Sequence, residues 1–363
     1  MEQPVGAHEA APCIDFRGLG GDVFLLQLGN LALTILTLGI YRFWGKTRVR
    51  RFLWRNTLLD GDPLEYRGTG LELFVGALLA ILLISVPLGL VSVVLPAFVG
   101  RGSPALVITQ GILLLLIYYL VGVGMYRSWR YILSRTAWRG IRGGMTEQGW
   151  RFGLYHFGLL MAQMFSLGFL TPWVGVRRWN RLTRDMRIGS LPLFADAHSR
   201  PIYGRFLIVW VAMIVLLVLF GVLLFATVDL PTEGPPSLTQ ILVLIVSIYG
   251  GLAVIGFIGA MLFARYHAAF LHETYGATRL GETMRLRFDV RGREVALFYL
   301  VNFALVAFTM GLGTLLLPWR HWAFHARRIV IDGAFDPTTM RQTDLVGPGQ
   351  GEGIADAFDI APF

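Results

Sequence analysis

Seven stretches of the chain are apolar enough to hold about 20 helical residues across a bilayer. They are 23–41, 71–99, 105–126, 152–174, 206–228, 238–264 and 295–319, with arginine-rich stretches between them. Short cytoplasmic loops hold most of the Lys and Arg of a membrane protein, so the basic residues test how many stretches cross. If all seven cross, 15 basic residues fall on one side and 17 on the other. If only 71–99, 105–126, 206–228 and 238–264 cross, the split is 31 against 1. The pattern therefore predicts an α-helical polytopic membrane protein with four spanning helices. Segments 23–41, 152–174 and 295–319 then enter and leave on the cytoplasmic side, as re-entrant hairpins or interfacial helices. Six or seven full spans are the alternative.

The three odd segments resemble one another. Each is an apolar run, then Leu-Gly, then tryptophan, then an arginine-rich stretch, at Leu38-Gly39 and Trp44, Leu167-Gly168 and Trp173, and Leu312-Gly313 with Pro318-Trp319. Trp44 and Trp173 are 129 residues apart, as are Pro63 and Pro192, whereas Trp173 and Trp319 are 146 apart. Gly and Pro weaken a helix and tryptophan prefers the membrane interface, which suits a chain that turns and returns to the surface. The flanks repeat too: Asp15-Phe-Arg17-Gly18 and Asp289-Val-Arg291-Gly292 precede the first and third segments, near alternating positions such as Leu286, Phe288 and Val290 that read as short strands. Leu58-Leu-Asp60-Gly61 and Ile329-Val-Ile-Asp332-Gly333 carry Asp-Gly between apolar residues, a hairpin signal. Small antiparallel β-hairpins are expected on the cytoplasmic face beside each odd segment. The organisation that follows is an N-terminal tail (1–13), a first repeat unit (14–126), a second in the same order (127–264), a partial third (265–343) and a disordered acidic tail (344–363).

Composition sharpens the class. The chain has 363 residues, of which 55% are hydrophobic and 15% charged, against about 25% charged in soluble domains. Mean hydropathy is +0.60. The single cysteine, Cys13, excludes an intramolecular disulfide framework and a cysteine-cluster metal site. Glu2, Glu9 and Asp15 near the start, with no basic n-region, speak against a cleavable signal peptide. Of the 32 basic residues behind the net charge of +9, Lys46 alone is lysine. Arginine suits phosphate and headgroup recognition.

The string Leu36-Thr-Leu-Gly-Ile-Tyr-Arg-Phe-Trp-Gly-Lys-Thr-Arg-Val-Arg-Arg51, followed by Asp60-Gly-Asp-Pro-Leu-Glu-Tyr-Arg-Gly-Thr69, resembles the YjgN-like family of bacterial inner-membrane proteins, a family of unknown function. Trp138-Arg-Gly-Ile-Arg142 and the later Leu-Gly units fit as well, and the likeness covers roughly residues 14 to 335. It implies a bacterial inner-membrane location and carries over no activity and no catalytic residues. Segment two departs from the pattern, because it lacks the asparagine of Asn30 and Asn302 and has Gly189-Ser190 in place of Asp60-Gly61.

Candidate chemistry is sparse. His321 and His325, at i and i+4, present half a zinc site; with the tryptophans in register, Lys46 and Arg50 stand at the equivalent places, and interfacial polar packing is the better reading. His272-Glu273 has no second histidine at metalloprotease spacing, and no nucleophile elbow, phosphate loop or dinucleotide fingerprint is present. The chain reads as a non-enzyme that calls for no cofactor. Polar residues inside apolar segments are often functional, which makes Asn30, Asn302, Gln163 and His156 candidates for a polar pathway; structural hydrogen bonding is the plainer reading. The arginine and aromatic stretches offer a second set: Arg42, Arg48, Arg50, Arg51, Arg177, Arg178 and Arg181 with Trp44, Trp173 and Trp319 as a lipid-headgroup surface. Each stretch abuts a membrane segment, so the expected partner is anionic membrane lipid and not nucleic acid, with a homo-oligomer also compatible. Charge that merely fixes topology accounts for the same stretches. Two functions stay open: a channel- or transporter-like route for a small solute or lipid headgroup, and a non-catalytic module that binds anionic lipid or organises partners. Both termini are expected in the cytoplasm.

Overall fold

The computed structural model describes residues 14–100, 103–227, 237–333, 340–342 and 345. The expected tail 1–13, nearly all of 344–363 and the loop residue Arg101 lie outside them. Helical hairpins alternate with short strands along the chain. Strand β1 (Ile14–Phe16) leads into α1 (Gly20–Leu36) and α2 (Arg42–Arg55), followed by β2 (Thr57–Leu59) and β3 (Asp62–Tyr66). Next come α3 (Gly70–Ala80), α4 (Val86–Val99), α5 (Pro104–Arg135), β4 (Thr136–Trp138) and β5 (Ile141–Met145). A second short pair, α6 (Trp150–Phe165) and α7 (Thr171–Asp185), precedes β6 (Met186–Ile188) and β7 (Leu191–Ala195). The second long pair is α8 (Arg200–Thr227) and α9 (Leu238–Gly276), before β8 (Thr278–Leu280) and β9 (Met284–Phe288). Last are α10 (Gly292–Phe308), a 3-10 turn at Leu312–Leu316, α11 (Leu317–Ala326) and β10 (Ile329–Asp332).

Among the described residues four helices are long and apolar enough to cross a membrane: Gly70–Val99, Pro104–Arg135, Arg200–Ala226 and Leu238–Gly276. The first joins α3 to α4 through one π-helical turn at Ile81–Ser85, just before Pro87. Proline has no N–H and its ring crowds the preceding turn, and a widened turn absorbs both defects. The described residues thus have the membrane-protein build expected, with four candidate spans.

The segments 23–41, 152–174 and 295–319 each break in two. At the breaks Leu38, Leu167 and Met310 adopt φ of 51°, 49° and 51°, and each is followed by a glycine at φ of 94°, 82° and 91°. The backbone closes the same way each time: Gly39, Gly168 and Gly311 donate to Thr34, Gln163 and Val306 at 2.7, 2.9 and 2.9 Å. That is the Schellman end of a helix, which satisfies carbonyls the last turn would leave open. A leucine in the left-handed region costs about 1 kcal/mol, so these three turns hold apolar side chains where glycine would be easier. The side chains project outward, with Leu38 94%, Leu167 84% and Met310 96% exposed.

The strands differ from expectation. Instead of separate hairpins they form a ten-stranded antiparallel sheet in the order of the chain, β1 to β10, and β10 returns beside β1, so the sheet nearly closes. Hairpins also follow the long helix pairs. Turns Asp60-Gly61 and Arg139-Gly140 have positive φ at both residues, 54° and 83°, then 48° and 79°, the twist that suits two-residue hairpins. One backbone bond recurs at five places around the ring. The residue after a strand donates to the residue before its neighbour: Arg17 to Asn56, Arg67 to Arg135, Thr146 to Asp185, Asp196 to Ala277 and Asp289 to Arg328, at 2.8–3.2 Å.

Tryptophans stitch each short hairpin to the helix pair or strand beyond it. The indole N–H of Trp54 donates to Thr136 Oγ1 (2.9 Å), that of Trp179 to Thr278 Oγ1 (3.0 Å) and that of Trp322 to Thr57 Oγ1 (2.8 Å). Trp322 stacks on Trp54 at 4.1 Å, and Trp319 donates to Gly18 O at 2.9 Å, so the end of the chain is pinned to its beginning. The interior of the sheet is apolar: Trp138, Leu280, Met284 and Ile331 pack together with Leu59, Leu64, Ile188 and Leu193. Met340, 8% exposed, enters the same cluster from the C-terminal side. Its neighbours hold it there, since Ser190 N donates to Arg341 O (3.0 Å) and Arg142 N to Gln342 Oε1 (2.9 Å). Gly189 makes room, because a Cβ there would lie 2.5 Å from Arg341 O.

Candidate functional site

A cavity of about 550 Å³ lies between the first short hairpin and α11. From α2 it receives Arg42, Lys46 and Arg50, successive at i, i+4 and i+8 on one helical face. From α1 it receives Gln27, Asn30 and Thr34, and from the third segment Thr314 and His321; Leu31, Phe43, Leu315, Pro318 and Trp322 make the walls apolar. A row of cations against an apolar wall, with amide and hydroxyl groups at the side, can hold an anionic head and an attached hydrocarbon. Arg50 also donates to Tyr66 OH at 3.2 Å, with its guanidinium 5.7 Å from that ring. Burial, with His325 and Arg320 nearby, pushes the His321 pKa down and favours its neutral form.

Asn30 is buried and braces its hairpin. Its amide donates to Gly45 O (3.2 Å) and Gln27 Oε1 (3.2 Å), and its oxygen accepts from Arg48 Nη1 (3.3 Å). Arg48 also donates to Tyr41 OH at 2.9 Å. Asn302 is held in the same manner by Arg320 Nε. Asn30 and Asn302, Arg48 and Arg320, and Gly39 and Gly311 are all 272 residues apart. The alignment through the tryptophans is therefore corrected: Trp319 stands where Thr47 does, not Trp44, and His321 and His325 match Val49 and Leu53. Helix contacts set this register, and each tryptophan goes wherever its own interface needs an indole.

The other pathway candidates lie elsewhere. Gln163 donates to Thr171 Oγ1 (3.1 Å) across the second turn. His156 is buried against Phe152, its Nδ1 has no hydrogen-bond partner among the described residues, and burial beside Arg178 pushes its pKa down. The cavities among the described residues do not bring the four polar candidates together: Asn30 lines one, and the other three make local bonds or packing contacts.

A second groove, of about 700 Å³, runs along α7 and collects Trp173, Arg177 and Arg181 together with Arg184, Asn180 and His198. Arg177 sits 5.5 Å over Trp173. Arg181 is neutralised by Glu147 (3.0 Å) and Asp185 (2.5 Å). Arg178 turns inward, and burial lowers its pKa. Arg51 donates to Gly68 O (2.9 Å), and Trp44 packs on Tyr41 and Phe74. Lys46 and Arg184 were not among the candidates; their helical spacing from Arg42 and Arg177 is the signal that finds them. Among the described residues no third His, Cys, Asp or Glu forms a metal-binding group with His321 and His325, and His325 Nδ1 meets the His321 carbonyl at 2.9 Å.

Comparison with known proteins gives a family and three relatives. The family model described as "Bacterial protein of unknown function (DUF898)" matches residues 12–357. "Inner membrane protein YjgN" of Salmonella typhimurium is 31% identical over 153 residues, covering 42% of this chain and 36% of the relative. The protein of the same description from Escherichia coli O157:H7 is 31% identical over 127 residues, covering 35% and 29%, and that of strain K12 is 40% identical over 63 residues, covering 17% and 16%. The chain thus spans about a third or less of the length of the relatives it matches. No solved structure matches.

Proposed function

The chain belongs to the DUF898 family of bacterial proteins, and from that premise we propose that it is a multi-pass inner-membrane protein that binds an anionic lipid headgroup between its first and third short hairpins. The observation that carries this reading is the cavity where Arg42, Lys46 and Arg50 face apolar walls. Helix lengths support a position for that cavity near the membrane surface. Helix α9 has 39 residues, about 58 Å at 1.5 Å per residue. With about 30 Å in the bilayer core, roughly 28 Å of α9 is left over but only roughly 12 Å of the 28-residue α8. Helix α1, with 17 residues, is about 25 Å long, so the turns at Leu38, Leu167 and Met310 reach the boundary and dip their apolar side chains into the leaflet. The basic loops and the sheet then face the cytoplasm, with both termini. Residues 14–126 and 127–264 are read as copies of one plan, and 265–343 as a partial third, supported by the offsets of 129 and 272.

A binding role is favoured over a through-going route because the sheet interior on the ring axis is filled by Trp138, Leu280, Met284, Ile331 and Met340. The route keeps one point of support, the presence of Asn30 in the cavity lining. The test is retention of phosphatidylglycerol against phosphatidylcholine by the full chain, read by native mass spectrometry. Arg42→Gln and Lys46→Gln should each weaken phosphatidylglycerol retention about fivefold, from about 1 kcal/mol per basic residue near a membrane. Retention unchanged in the double variant, or lost equally in Arg67→Gln at the sheet, would remove the cavity as the site.

A further inference from the structure

We infer that the outer face of the sheet ring between β6 and β9 is a docking surface for an acidic peptide segment of a partner protein. The inference is independent of the lipid cavity. Alternation along the strands sends Leu280 and Met284 into the apolar interior, so Arg279 and Arg285 point outward. They stand directly opposite one another across β8 and β9. Like charges in that position destabilise a strand pair. Phe194, next in the row and opposite Arg279 on β7, is 61% exposed. Asp332 lies opposite Arg285 on β10, but it pairs with Arg287 at 3.0 Å.

The other side of the ring shows what a self-sufficient surface looks like. There Arg17 pairs with Asp15, Arg67 with Glu65, and Arg139 with both Asp60 and Asp62. Arg187, Arg279 and Arg285 form no ion pair or side-chain hydrogen bond among the described residues. A hollow of about 510 Å³ lies beside Phe194, Arg279 and Arg285. Asp196 and Glu282 also line it, yet neither forms an ion pair with these arginines. Unneutralised arginine beside an exposed aromatic ring is the composition of an interface centre, and charge complementarity fixes the sign of the partner. Anionic membrane is the competing occupant, and the vesicle arm of the test below separates the two.

The test uses the full chain in neutral phosphatidylcholine nanodiscs and a fluorescein-labelled oligoglutamate peptide with one central tryptophan, with an oligolysine counterpart as control. The acidic peptide is expected to bind, more weakly as salt rises. Arg279→Gln with Arg285→Gln should lower affinity about tenfold or more, and Phe194→Ser should lower it at unchanged charge. Removing a like-charge pair should leave the thermal midpoint equal or higher, which a merely structural role for these arginines would not do. Peptide affinity unchanged in the double variant overturns the proposal, as does an equal loss in Arg17→Gln with Arg67→Gln. Loss of co-sedimentation with phosphatidylglycerol vesicles while peptide affinity is unchanged would make the surface a membrane contact instead, and the proposal would fall.

Discussion

Truncating Met340 tests whether the C-terminal segment seals the sheet ring. The side chain is buried in the apolar interior, and replacing a buried methionine by alanine costs about 2–5 kcal/mol. The expectation is that 340–342 opens on its own, so that the cost appears as local opening and not as global unfolding. Two amides report on it directly. Ser190 N donates to Arg341 O at 3.0 Å, and Arg142 N donates to Gln342 Oε1 at 2.9 Å. A loss of about 2 kcal/mol raises the open population by a factor of about 30. Met340→Ala should therefore speed hydrogen exchange at Ser190 and Arg142 by that order, while Arg67 N, bonded to Arg135 O across the ring at 2.8 Å, keeps its protection. The assay is hydrogen exchange by mass spectrometry on the full chain in nanodiscs. Unchanged exchange at Ser190 and Arg142 would refute the seal, and equal acceleration at Arg67 would show that the ring opens as one unit.

Other outcomes follow from single contacts. Trp179→Phe removes the indole bond to Thr278 Oγ1 and should lower stability by about 1–2 kcal/mol, read as a thermal midpoint in detergent; an unchanged midpoint would discount the stitch. Gly313→Ala would place a Cβ 2.5 Å from Leu305 O and should destabilise the third hairpin by about 1–3 kcal/mol, whereas Gly311→Ala meets no atom and is penalised only by its positive φ. Burial holds the His321 and His325 pKa values below the ordinary 6.5. Their contribution to stability is complete above pH 6.5 and is lost as pH falls from there through the depressed folded values, because the unfolded chain binds protons first. Replacing both by glutamine should flatten the denaturation profile below pH 6.5, and a profile that stays steep would assign the effect to other groups.

The linear order of residues determined whatever depends on neighbours along the chain or on the solvent. Four apolar runs long enough to span are visible because a bilayer demands continuous hydrocarbon over about 20 residues. The breaks near Gly39 and Gly168 are visible because few residues besides glycine accept the left-handed backbone after a helix end, and Asp60-Gly61 shows for the same reason. The third break was placed at Leu312-Gly313, but the chain turns at Met310-Gly311. A Gly-Leu-Gly run offers two glycines, and only the backbone bond from Gly311 to Val306 chooses between them. In the site, the Arg42 and Arg50 spacing was legible as one helix face, while the opposing wall from α11 was not.

Tertiary structure alone decided the ring. Its strands have three to five residues each, too few for an alternating pattern to stand out from chance. Closing the ring also brings Trp322 of α11 against Thr57 of β2, 265 residues away, and no local signal encodes such a contact. Closure also fixed which charges are neutralised. Arg139 meets Asp60 and Asp62 only because β4 lies beside β3, and Arg279 faces Arg285 only because β8 and β9 pair in that register. Hydropathy and turn chemistry are properties of single segments, which the sequence carries openly. Register and ion pairing are properties of two segments at once, and they exist only after the chain has closed.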